Sequence, residues 1–322
     1  MTGRTLVVTN DFPPRRGGIE TYVRSWCDAQ SPEAVVVYTA RMPGATESDR
    51  ARPYPVVRDP ARILLPTPAV ACRVEATLQR YGCDRVLFGA SVPLGLLAPR
   101  LRRAGARHLT AMTHGHEVWW AALPGTRTLL RSVGESVDVL TYVSAYCRDR
   151  IERALSPEAA ARLEPLLPTV DRTRFHPGCG GDAVRRRLRI PSHAPVVVCV
   201  GRLVRRKGQD TLVRIWPEVL ARFPGAVLLL VGDGPERRRL ERLARVRGVT
   251  GSVVLAGSVP WEEVPAYLDA GDVFAMPCRD RRLGLEVEAF GIVYLEAAAC
   301  GLTVVAGRSG GAAEAARAAR AC

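Results

Sequence analysis

A single lysine stands among 46 basic side chains, and its position predicts contact with an anion. Lys207 lies in the segment GRLVRRKG at residues 201–208, after an apolar run that predicts a buried strand at residues 196–200. Open parallel α/β sheets bind ligands at the carboxyl ends of their strands. Because lysine is a compact point charge and arginine a planar fork, we expect Lys207 to contact a phosphate. The alternative is an ordinary surface cation.

Two glutamates on either side of Gly291 form a second candidate. Glu288 precedes this glycine and Glu296 follows it, in a stretch that leads through alanines to a predicted strand. If a helix begins near Gly291, its free N–H groups face an anion, because a helix amino terminus carries unpaired donors and the positive end of a dipole. A solvated helix would carry the same pair of glutamates.

Two loops supply candidates in the first half of the chain. Asp11 follows the first predicted strand, and Gly17 and Gly18 let the backbone approach a ligand closely, although a plain strand-to-helix turn would also use glycines. His114 and His116 lie in the segment THGHE. This spacing suits a metal site, but the sequence identifies no third ligand. A histidine that contacts substrate and a structural histidine both remain open.

Common nucleotide motifs do not fit. Residues 232–236 close a strand of the second half, but Arg237 stands where the dinucleotide fingerprint needs its third glycine. Lys207 is followed by Gly208 and not by the serine or threonine of a P-loop. No Asp-x-Asp occurs, so fixed cations and helix dipoles must carry the charge at a phosphate. The sequence predicts neither a metal nor another cofactor.

Short valine-rich runs alternate with amphipathic segments, the pattern of parallel sheets covered by helices on both faces. The predicted strands are residues 5–9, 34–38, 85–88, 108–112 and 137–142, then 196–200, 226–231, 253–256, 273–275 and 303–306. Helices are predicted at residues 18–29, 93–103 and 145–154. We therefore expect two doubly wound α/β domains, residues 1–177 and 178–322, separated by a proline-bounded segment that ends at Pro177.

Composition limits the partners. A net charge of +14 implies attraction to nucleic acid, an anionic membrane or phosphorylated small molecules. With 6% aromatic residues and no nucleic-acid motif, we expect no nucleic-acid partner. Nine scattered cysteines without a Cys-x-x-Cys pair indicate buried thiols in a reducing compartment. Without a signal peptide or an apolar stretch of about 20 residues, we expect a cytoplasmic protein, in peripheral contact with the inner face of the plasma membrane.

In their order and placement, the glycine-rich first loop, the histidine loop, Arg202 with Lys207, and Glu288 with Glu296 resemble the retaining glycosyltransferases of the GT-B fold (family 4 type). The similarity covers nearly the whole chain and points to the actinobacterial mannosyltransferases that build phosphatidylinositol mannosides from GDP-mannose. It implies two Rossmann-like domains facing across a cleft, a nucleotide-sugar donor with GDP-mannose favoured, a lipid or glycolipid acceptor, and transfer without a metal.

The same resemblance implies roles for individual residues. Arg202 and Lys207 would hold the diphosphate, Glu296 the ribose, and Glu288 the donor sugar. The backbone groups that would hold the sugar and phosphates are those of Phe290, Gly291, Ile292 and Val293, with Gly17 and Gly18. Asp11 and His114 would line the reacting centre, with His116 as the second choice for the histidine.

Acceptor binding is predicted near residues 93–103, where Arg100, Arg102 and Arg103 would meet an anionic lipid, with Trp119 and Trp120 nearby. An ordinary solvated helix and two core tryptophans are the alternative.

The chain departs from the family pattern at three places. Ala289 and Thr169 stand where glycine is usual, and the sequence ends at residue 322, where the family usually continues. We therefore expect a second domain that is incomplete at its carboxyl end. Two rivals follow: a nucleotide-sugar-binding pseudoenzyme or inactive truncated fragment, and a basic scaffold that binds nucleic acid.

Overall fold

The computed structural model describes residues 3–15 and 17–320. The chain forms two compact units, one ending at Leu167 and the other beginning at Pro168. Each unit is built on one parallel sheet with helices in its strand connections. The predicted class of two doubly wound α/β domains is therefore confirmed.

The first unit contains a seven-stranded sheet. Its strands are β1 (Arg4–Thr9), β2 (Val35–Ala40), β3 (Val56–Asp59), β4 (Cys83–Phe88), β5 (His108–Met112), β6 (Val139–Tyr142) and β7 (Leu163–Pro165). They lie in the order β3-β2-β1-β4-β5-β6-β7, and every pair is parallel. Leu6 of β1 lies opposite Val36 of β2 and Val86 of β4, so the centre of the sheet is continuous aliphatic core.

Five of these strands were predicted, and β3 and β7 were not. β7 is an edge strand of three residues that is largely exposed and ends in Pro165, which cannot donate to a ladder. β3, on the opposite edge, is mostly half-buried and carries Arg58 and Asp59. Neither has the apolar run that marks a central parallel strand.

Eight helices of the described first unit cover this sheet. They are α1 (Gly18–Asp28), α2 (Ala45–Arg50), α3 (Pro68–Arg80), α4 (Ala98–Arg103), α5 (Glu117–Ala122), α6 (Pro124–Ser136), α7 (Ala145–Glu152) and α8 (Pro157–Ala160). The helix predicted at residues 93–103 is divided into a 3-10 turn (Leu94–Leu97) and α4. Pro99 explains a new start there, because proline lacks the N–H that a continuing helix needs and is tolerated in a first turn.

The second unit contains a five-stranded sheet, and all five of its strands were predicted. They are β8 (Val196–Val200), β9 (Val227–Val231), β10 (Val253–Gly257), β11 (Val273–Met276) and β12 (Thr303–Ala306), in the order β10-β9-β8-β11-β12 with every pair parallel. Its helices are α9 (Gly181–Arg187), α10 (Gln209–Arg222), α11 (Arg237–Val246), α12 (Val264–Asp269), α13 (Ile292–Ala299) and α14 (Ala312–Ala319). Across residues 3–15 and 17–320, no helix has the length and apolar character needed to cross a membrane.

Both sheets reverse their winding direction beside their first strand. β1 lies between β2 and β4, and β8 lies between β9 and β11. Such a reversal opens a crevice at the carboxyl ends of the two diverging strands. The loops after β1, β8 and β11 carry candidate residues at these two edges, and the histidine loop follows β5, the neighbour of β4.

The connection between the units belongs structurally to the second. Phe175 is 2% exposed, and its ring lies 6.3 Å from that of Trp261. The guanidinium of Arg174 stacks 3.8 Å over the same indole. The division therefore falls between Leu167 and Pro168, earlier than the boundary predicted at Pro177. The prolines revealed a connection, but the packing of a buried aromatic ring decides which unit the segment joins.

Candidate functional site

Lys207 lies at the carboxyl edge of the second sheet, at the end of a 3-10 turn (Arg205–Lys207) that follows β8. Its side chain is 11% exposed, and its Nζ lies 2.8 Å from Oε2 of Glu288. Lysine is rarely buried unless it is paired. Lys207 is therefore an inward-facing member of an ion pair and not an ordinary surface cation.

Arg206 is a second cation on Glu288, and the sequence did not reveal it. Its guanidinium contacts the same carboxylate oxygen. The neighbouring Arg205 turns away and pairs with Glu236 at 3.1 Å. Arg205 and Arg206 look alike in the sequence, so only the turn geometry tells which of them faces Glu288.

Glu288 is buried and ionised. Burial acts to raise the pKa of its carboxyl group, but the charges of Lys207 and Arg206 outweigh burial and hold the pKa below its ordinary value. We call Arg206, Lys207 and Glu288 the ion triad. With two cations on one carboxylate it keeps an excess of positive charge, which suits a phosphate-bearing ligand.

The backbone of Glu288 is fixed by the turn that follows β12. Its N–H donates to Oγ of Ser309 at 3.0 Å, and its carbonyl oxygen accepts from the N–H of Gly311 at 2.9 Å. Ser309 is 1% exposed, so this bond is shielded from water. The turn therefore positions the carboxylate of the ion triad.

Helix α13 begins at Ile292, as predicted, directly after Gly291. Gly291 has φ 90°, a left-handed conformation that strains other residues, and a Cβ there would strike the ring of Tyr294. The N–H groups of a first helical turn lack intrahelical partners. Residues 290–293, with Phe290 and Val293 buried, thus present backbone donors next to Glu288.

Glu296 lies inside α13 and is 6% exposed. Burial raises its pKa to about 7, and the charge of Lys207 opposes part of that rise. Its carboxyl group therefore exchanges a proton near neutral pH. The structure brings Lys207, Glu288 and Glu296 into one region beside the ends of β8 and β11.

Arg202 is not part of the ion triad. Its side chain is exposed and makes no hydrogen bond or ion pair with the described residues, while its carbonyl oxygen accepts from Nε2 of Gln209 at 3.2 Å. Its contact with a diphosphate stays a prediction.

A cavity of about 340 Å³ borders the 3-10 turn of Lys207. It lies between Arg205 and the Pro235–Glu236 end of the loop at residues 232–236.

In the first unit, Asp11 lies beyond the end of β1 in a small ionic network. Arg15 lies 3.3 Å from Asp11 and 2.9 Å from Glu20 of α1, so one arginine bridges two carboxylates. A Cβ at Gly17 would collide with the Glu20 carboxylate, whereas Gly18 faces open space. A side chain at Gly17 would therefore displace the Glu20 carboxylate from this network.

A cavity of about 250 Å³ opens at this edge, and we call it the β1–β4 cavity. It is lined by Asn10, Asp11, Arg15, Arg62, Ile63, Ala90, Val92, Pro93, Leu94 and His116. The structure thus places Asp11 with His116, the second choice from the sequence, on one cavity wall.

His114, the first choice, is engaged elsewhere. Its Nε2 lies 2.5 Å from the carbonyl oxygen of Gly89, and its ring meets Tyr22 edge-on at 5.5 Å. Burial lowers the pKa of His114, partly offset by Glu117. A neutral imidazole at neutral pH follows. Its role at the reacting centre stays a prediction.

The arginines predicted to meet lipid make contacts within the first unit. Arg100 pairs with Glu75 at 2.9 Å, and Arg102 pairs with Asp138 at 2.9 Å. Nε of Arg103 donates to a backbone carbonyl at 3.3 Å. These contacts reduce the positive charge that the segment offers to an anionic surface.

In the part of the chain that the structure describes, no group of three His, Cys, Asp or Glu side chains could hold a metal ion.

Gly208 gives a test of how the turn of Lys207 is held. Gly208 has φ 76°, and a Cβ there would collide with the carbonyl group of Pro277. We expect Gly208→Ala to destabilise the fold by about 1–3 kcal/mol, from backbone strain and the displaced loop. Urea unfolding measures the loss.

The matched control is Gly178→Ala, because Gly178 has φ 79° but no atom within 4 Å of its Cβ position. It carries the conformational cost without the collision. Equal losses in the two variants would mean that the contact with Pro277 does not constrain the turn.

Known structures share this architecture. The HepE protein of Anabaena, solved with UDP, matches with a TM-score of 0.76 at 19% identity, over 97% of this chain and 82% of that one. Sucrose-phosphate synthase of Thermosynechococcus elongatus matches with a TM-score of 0.75 at 23% identity, over 96% and 82%. The fold is that of the GT-B glycosyltransferases.

Sequence comparison narrows the class to a family. Residues 16–174 match the model for Glycosyltransferase Family 4, and residues 182–320 match Glycosyl transferases group 1. A GDP-mannose-dependent alpha-(1-6)-phosphatidylinositol monomannoside mannosyltransferase of Mycolicibacterium smegmatis is 50% identical over 96% of this chain and 81% of its own length. The Corynebacterium glutamicum enzyme that acts on the monoacylated form is 45% identical over 97% and 82%. The chain therefore belongs to the glycosyltransferase family that contains these mannosyltransferases.

Proposed function

We propose that the chain transfers mannose from GDP-mannose to a lipid-linked acceptor such as a phosphatidylinositol mannoside, with retention at the sugar carbon. The observation that carries this proposal is the identity of 45–50% with GDP-mannose-dependent mannosyltransferases over nearly the whole chain. Relatives named for other sugars are more distant, such as a phosphatidylinositol N-acetylglucosaminyltransferase subunit at 28%.

The ion triad suits the donor. A nucleotide diphosphate brings negative charge, and Lys207 with Arg206 supplies two cations already held in place. When the diphosphate takes these cations, the Glu288 carboxylate is free to accept hydrogen bonds from sugar hydroxyls. The backbone donors of residues 290–293 add further contacts. Glu296, in its ionised form, would accept from the ribose hydroxyls.

Stabilisation of the leaving diphosphate supplies most of the catalysis in this proposal. As the bond to the sugar breaks, negative charge grows on the leaving oxygen and positive charge on the sugar ring. Cations fixed before the reaction stabilise that charge without reorganising. The acceptor hydroxyl attacks the same face of the sugar, and its proton passes to a leaving phosphate oxygen, so retention needs no separate base.

The β1–β4 cavity suits the acceptor. Asp11 and His116 offer polar contacts to a sugar or inositol hydroxyl, and Arg15 and Arg62 offer charge to a lipid phosphate. Ile63 is 66% exposed and supplies an apolar rim. An acceptor of this kind would bring the protein into peripheral contact with the inner face of the plasma membrane.

A thermal-shift titration with GDP, GDP-mannose, UDP and UDP-glucose tests the donor. A nucleotide at a hundred times its dissociation constant should stabilise the fold by about 2.7 kcal/mol. We expect the guanosine compounds to raise the melting temperature and the uridine compounds to leave it unchanged. A rise in melting temperature with UDP or UDP-glucose instead would mean that the donor is a uridine nucleotide-sugar. A guanosine response without mannosyl transfer to phosphatidylinositol mannoside vesicles would identify a binding protein and not an enzyme.

A further inference from the structure

Two adjacent tryptophans of α5 are only half-buried. The rings of Trp119 and Trp120 lie 5.1 Å apart at an angle of 45°. Neither indole N–H donates to a described residue, and neither is sealed from solvent. A tryptophan with an apolar ring and a hydrated N–H is typical of the interface between a membrane and water. The two rings are therefore not part of the sealed core.

Exposed leucines continue this apolar surface beyond α5. Leu123, in the turn between α5 and α6, is 45% exposed, and Leu129 of α6 is 40% exposed. Single exposed leucines are common on soluble proteins and need no explanation. Here two leucines and two tryptophans fall within residues 119–129, so the exposed apolar surface is concentrated in one helical hairpin.

The same hairpin carries positive charge and no acidic residue. Residues 118–134 contain Arg127 and Arg131 and neither aspartate nor glutamate. Both arginines are exposed, and both donate to backbone carbonyl oxygens that follow α7 and not to a carboxylate. Their charges are therefore not neutralised, in contrast to those arginines of α4 that pair with glutamate or aspartate.

The hairpin borders the β1–β4 cavity on two sides. His116, which lines the cavity, is the residue before α5. In α6, Val133 packs so closely on Gly95 that a Cβ there would lie 2.5 Å from the valine side chain. Gly95 belongs to the 3-10 turn that begins at Leu94, another residue of the cavity lining. A bilayer that rests on this hairpin would therefore hold its headgroups beside the cavity proposed for the acceptor.

We propose that this hairpin is the surface through which the protein docks on an anionic phospholipid bilayer, with its tryptophans and leucines at the boundary of the acyl chains and its arginines facing the lipid phosphates. We call it the α5–α6 ridge, and its members are Trp119, Trp120, Leu123, Arg127, Leu129 and Arg131. Apolar side chains gain by leaving water, and exposed cations gain by approaching a negatively charged surface. The inference rests on the proposed transfer to a lipid-linked acceptor, because such an acceptor requires the bilayer to reach the cavity.

Sedimentation with sucrose-loaded vesicles of phosphatidylglycerol and phosphatidylcholine measures the apolar contribution. We expect Leu123→Ser/Leu129→Ser to lower the affinity for these vesicles about tenfold or more, since two partly exposed leucines leave water on docking. The matched control is Ile215→Ser/Val246→Ser, which removes two aliphatic side chains, 41% and 82% exposed, from helices of the second unit. It should bind the vesicles as the wild type does. Equal losses in the two variants would overturn the inference.

The variant Arg127→Gln/Arg131→Gln measures the charge contribution. We expect its affinity for the anionic vesicles to fall about fivefold for each arginine, and its weaker affinity for pure phosphatidylcholine vesicles to match that of the wild type. The comparison is Arg100→Gln/Arg102→Gln, which changes the net charge equally on the segment where the sequence predicted lipid contact. Its loss should be smaller, because those arginines already pair with carboxylates. A larger loss there would move the docking surface to α4 and contradict the proposal.

Fluorescence quenching tests the location of the ridge without any reaction. The chain has five tryptophans, and we expect vesicles that contain brominated acyl chains to quench part of their emission. The variant Trp119→Phe/Trp120→Phe should lose this quenching and keep most of the vesicle affinity, because phenylalanine retains an apolar ring. Quenching that persists in the variant would mean that another tryptophan meets the lipid, and the ridge would not be the docking surface.

Transfer assays separate docking from the proposed chemistry. With the acceptor in vesicles, Leu123→Ser/Leu129→Ser should raise the KM for the acceptor about tenfold, in step with its loss of vesicle affinity. With a short-chain acceptor dissolved in water, its loss should be much smaller, and an equal loss would contradict a docking role. If the wild type transfers mannose to neither acceptor, the proposed function fails, while sedimentation and quenching still decide the role of the ridge.

Discussion

Replacing Lys207 by methionine should lower turnover by about a hundredfold or more and weaken the binding of the nucleotide diphosphate. Lys207 supplies a buried cation at the site assigned to the leaving group, and the loss of one preorganised charge contact costs about two to three powers of ten in turnover. A hundredfold loss corresponds to about 2.7 kcal/mol of transition-state stabilisation. Turnover assays and calorimetric GDP titrations measure the two effects.

The fold should tolerate this substitution. Glu288 keeps its contact with Arg206, so the variant does not leave a buried carboxylate alone. Methionine retains an unbranched side chain that fills the same space. Unfolding midpoints should therefore stay close to that of the wild type, and the loss can be assigned to function.

The matched control for Lys207→Met is Arg205→Met. Arg205 lies two residues away and pairs with Glu236 at a side-chain exposure of 51%, so its removal changes the net charge equally without touching the ion triad. Near-normal turnover is expected there. If both variants lose activity alike, the cause is the overall charge of the turn. If Lys207→Met keeps full activity, the ion triad does not hold the donor.

Hydrophobic patterning was sufficient to locate the central strands of both sheets. Strands such as Val196–Val200 are buried on both faces and consist almost entirely of β-branched residues, which few other elements require. The edge strands β3 and β7 were not predicted because one side of an edge strand faces solvent and its sequence can be polar. The division after Leu167 was not predicted because it depends on where the ring of Phe175 packs.

Rarity and spacing located part of the site. Lys207 stood out because no other lysine occurs, and Glu288 because it precedes a predicted helix start. Orientation could not be predicted in the same way. Arg205 and Arg206 are identical in type and adjacent in sequence, yet only Arg206 turns toward Glu288. That choice depends on the turn that Gly208 and Pro277 constrain.

The histidine loop shows the same limit. The sequence offered two imidazoles one residue apart, and His114 came first. The structure engages the His114 ring with the carbonyl oxygen of Gly89 and leaves His116 on the cavity wall, and the residue types alone do not distinguish these two directions.

Glu288→Gln should lower turnover without weakening the binding of GDP, whereas Lys207→Met should weaken both. The amide cannot neutralise Lys207 and Arg206, so both cations are more available to a diphosphate, and GDP should bind at least as tightly as in the wild type. Turnover should fall about a hundredfold, because the carboxylate proposed to contact the donor sugar is gone. Calorimetry gives the dissociation constant, and initial rates give the turnover.

The same variant should also be less stable without ligand and recover with it. Breaking a buried ion pair from one side costs at most about 3–5 kcal/mol, and less here because Arg206 is 28% exposed and reaches water. A bound diphosphate restores the missing negative charge, so the melting temperature of Glu288→Gln should rise more with GDP than that of the wild type.

Glu286→Gln is the control, since Glu286 pairs only with Arg281 and Arg282 in the same loop among the described residues. It should match the wild type in GDP-induced shift and in turnover. Weaker GDP binding by Glu288→Gln would mean that the carboxylate itself helps hold the nucleotide. In the proposed model Glu288 pairs with the two cations only until the diphosphate replaces it. Weaker binding would contradict that model, and the contact of Glu288 would have to be reassigned from the sugar to the nucleotide.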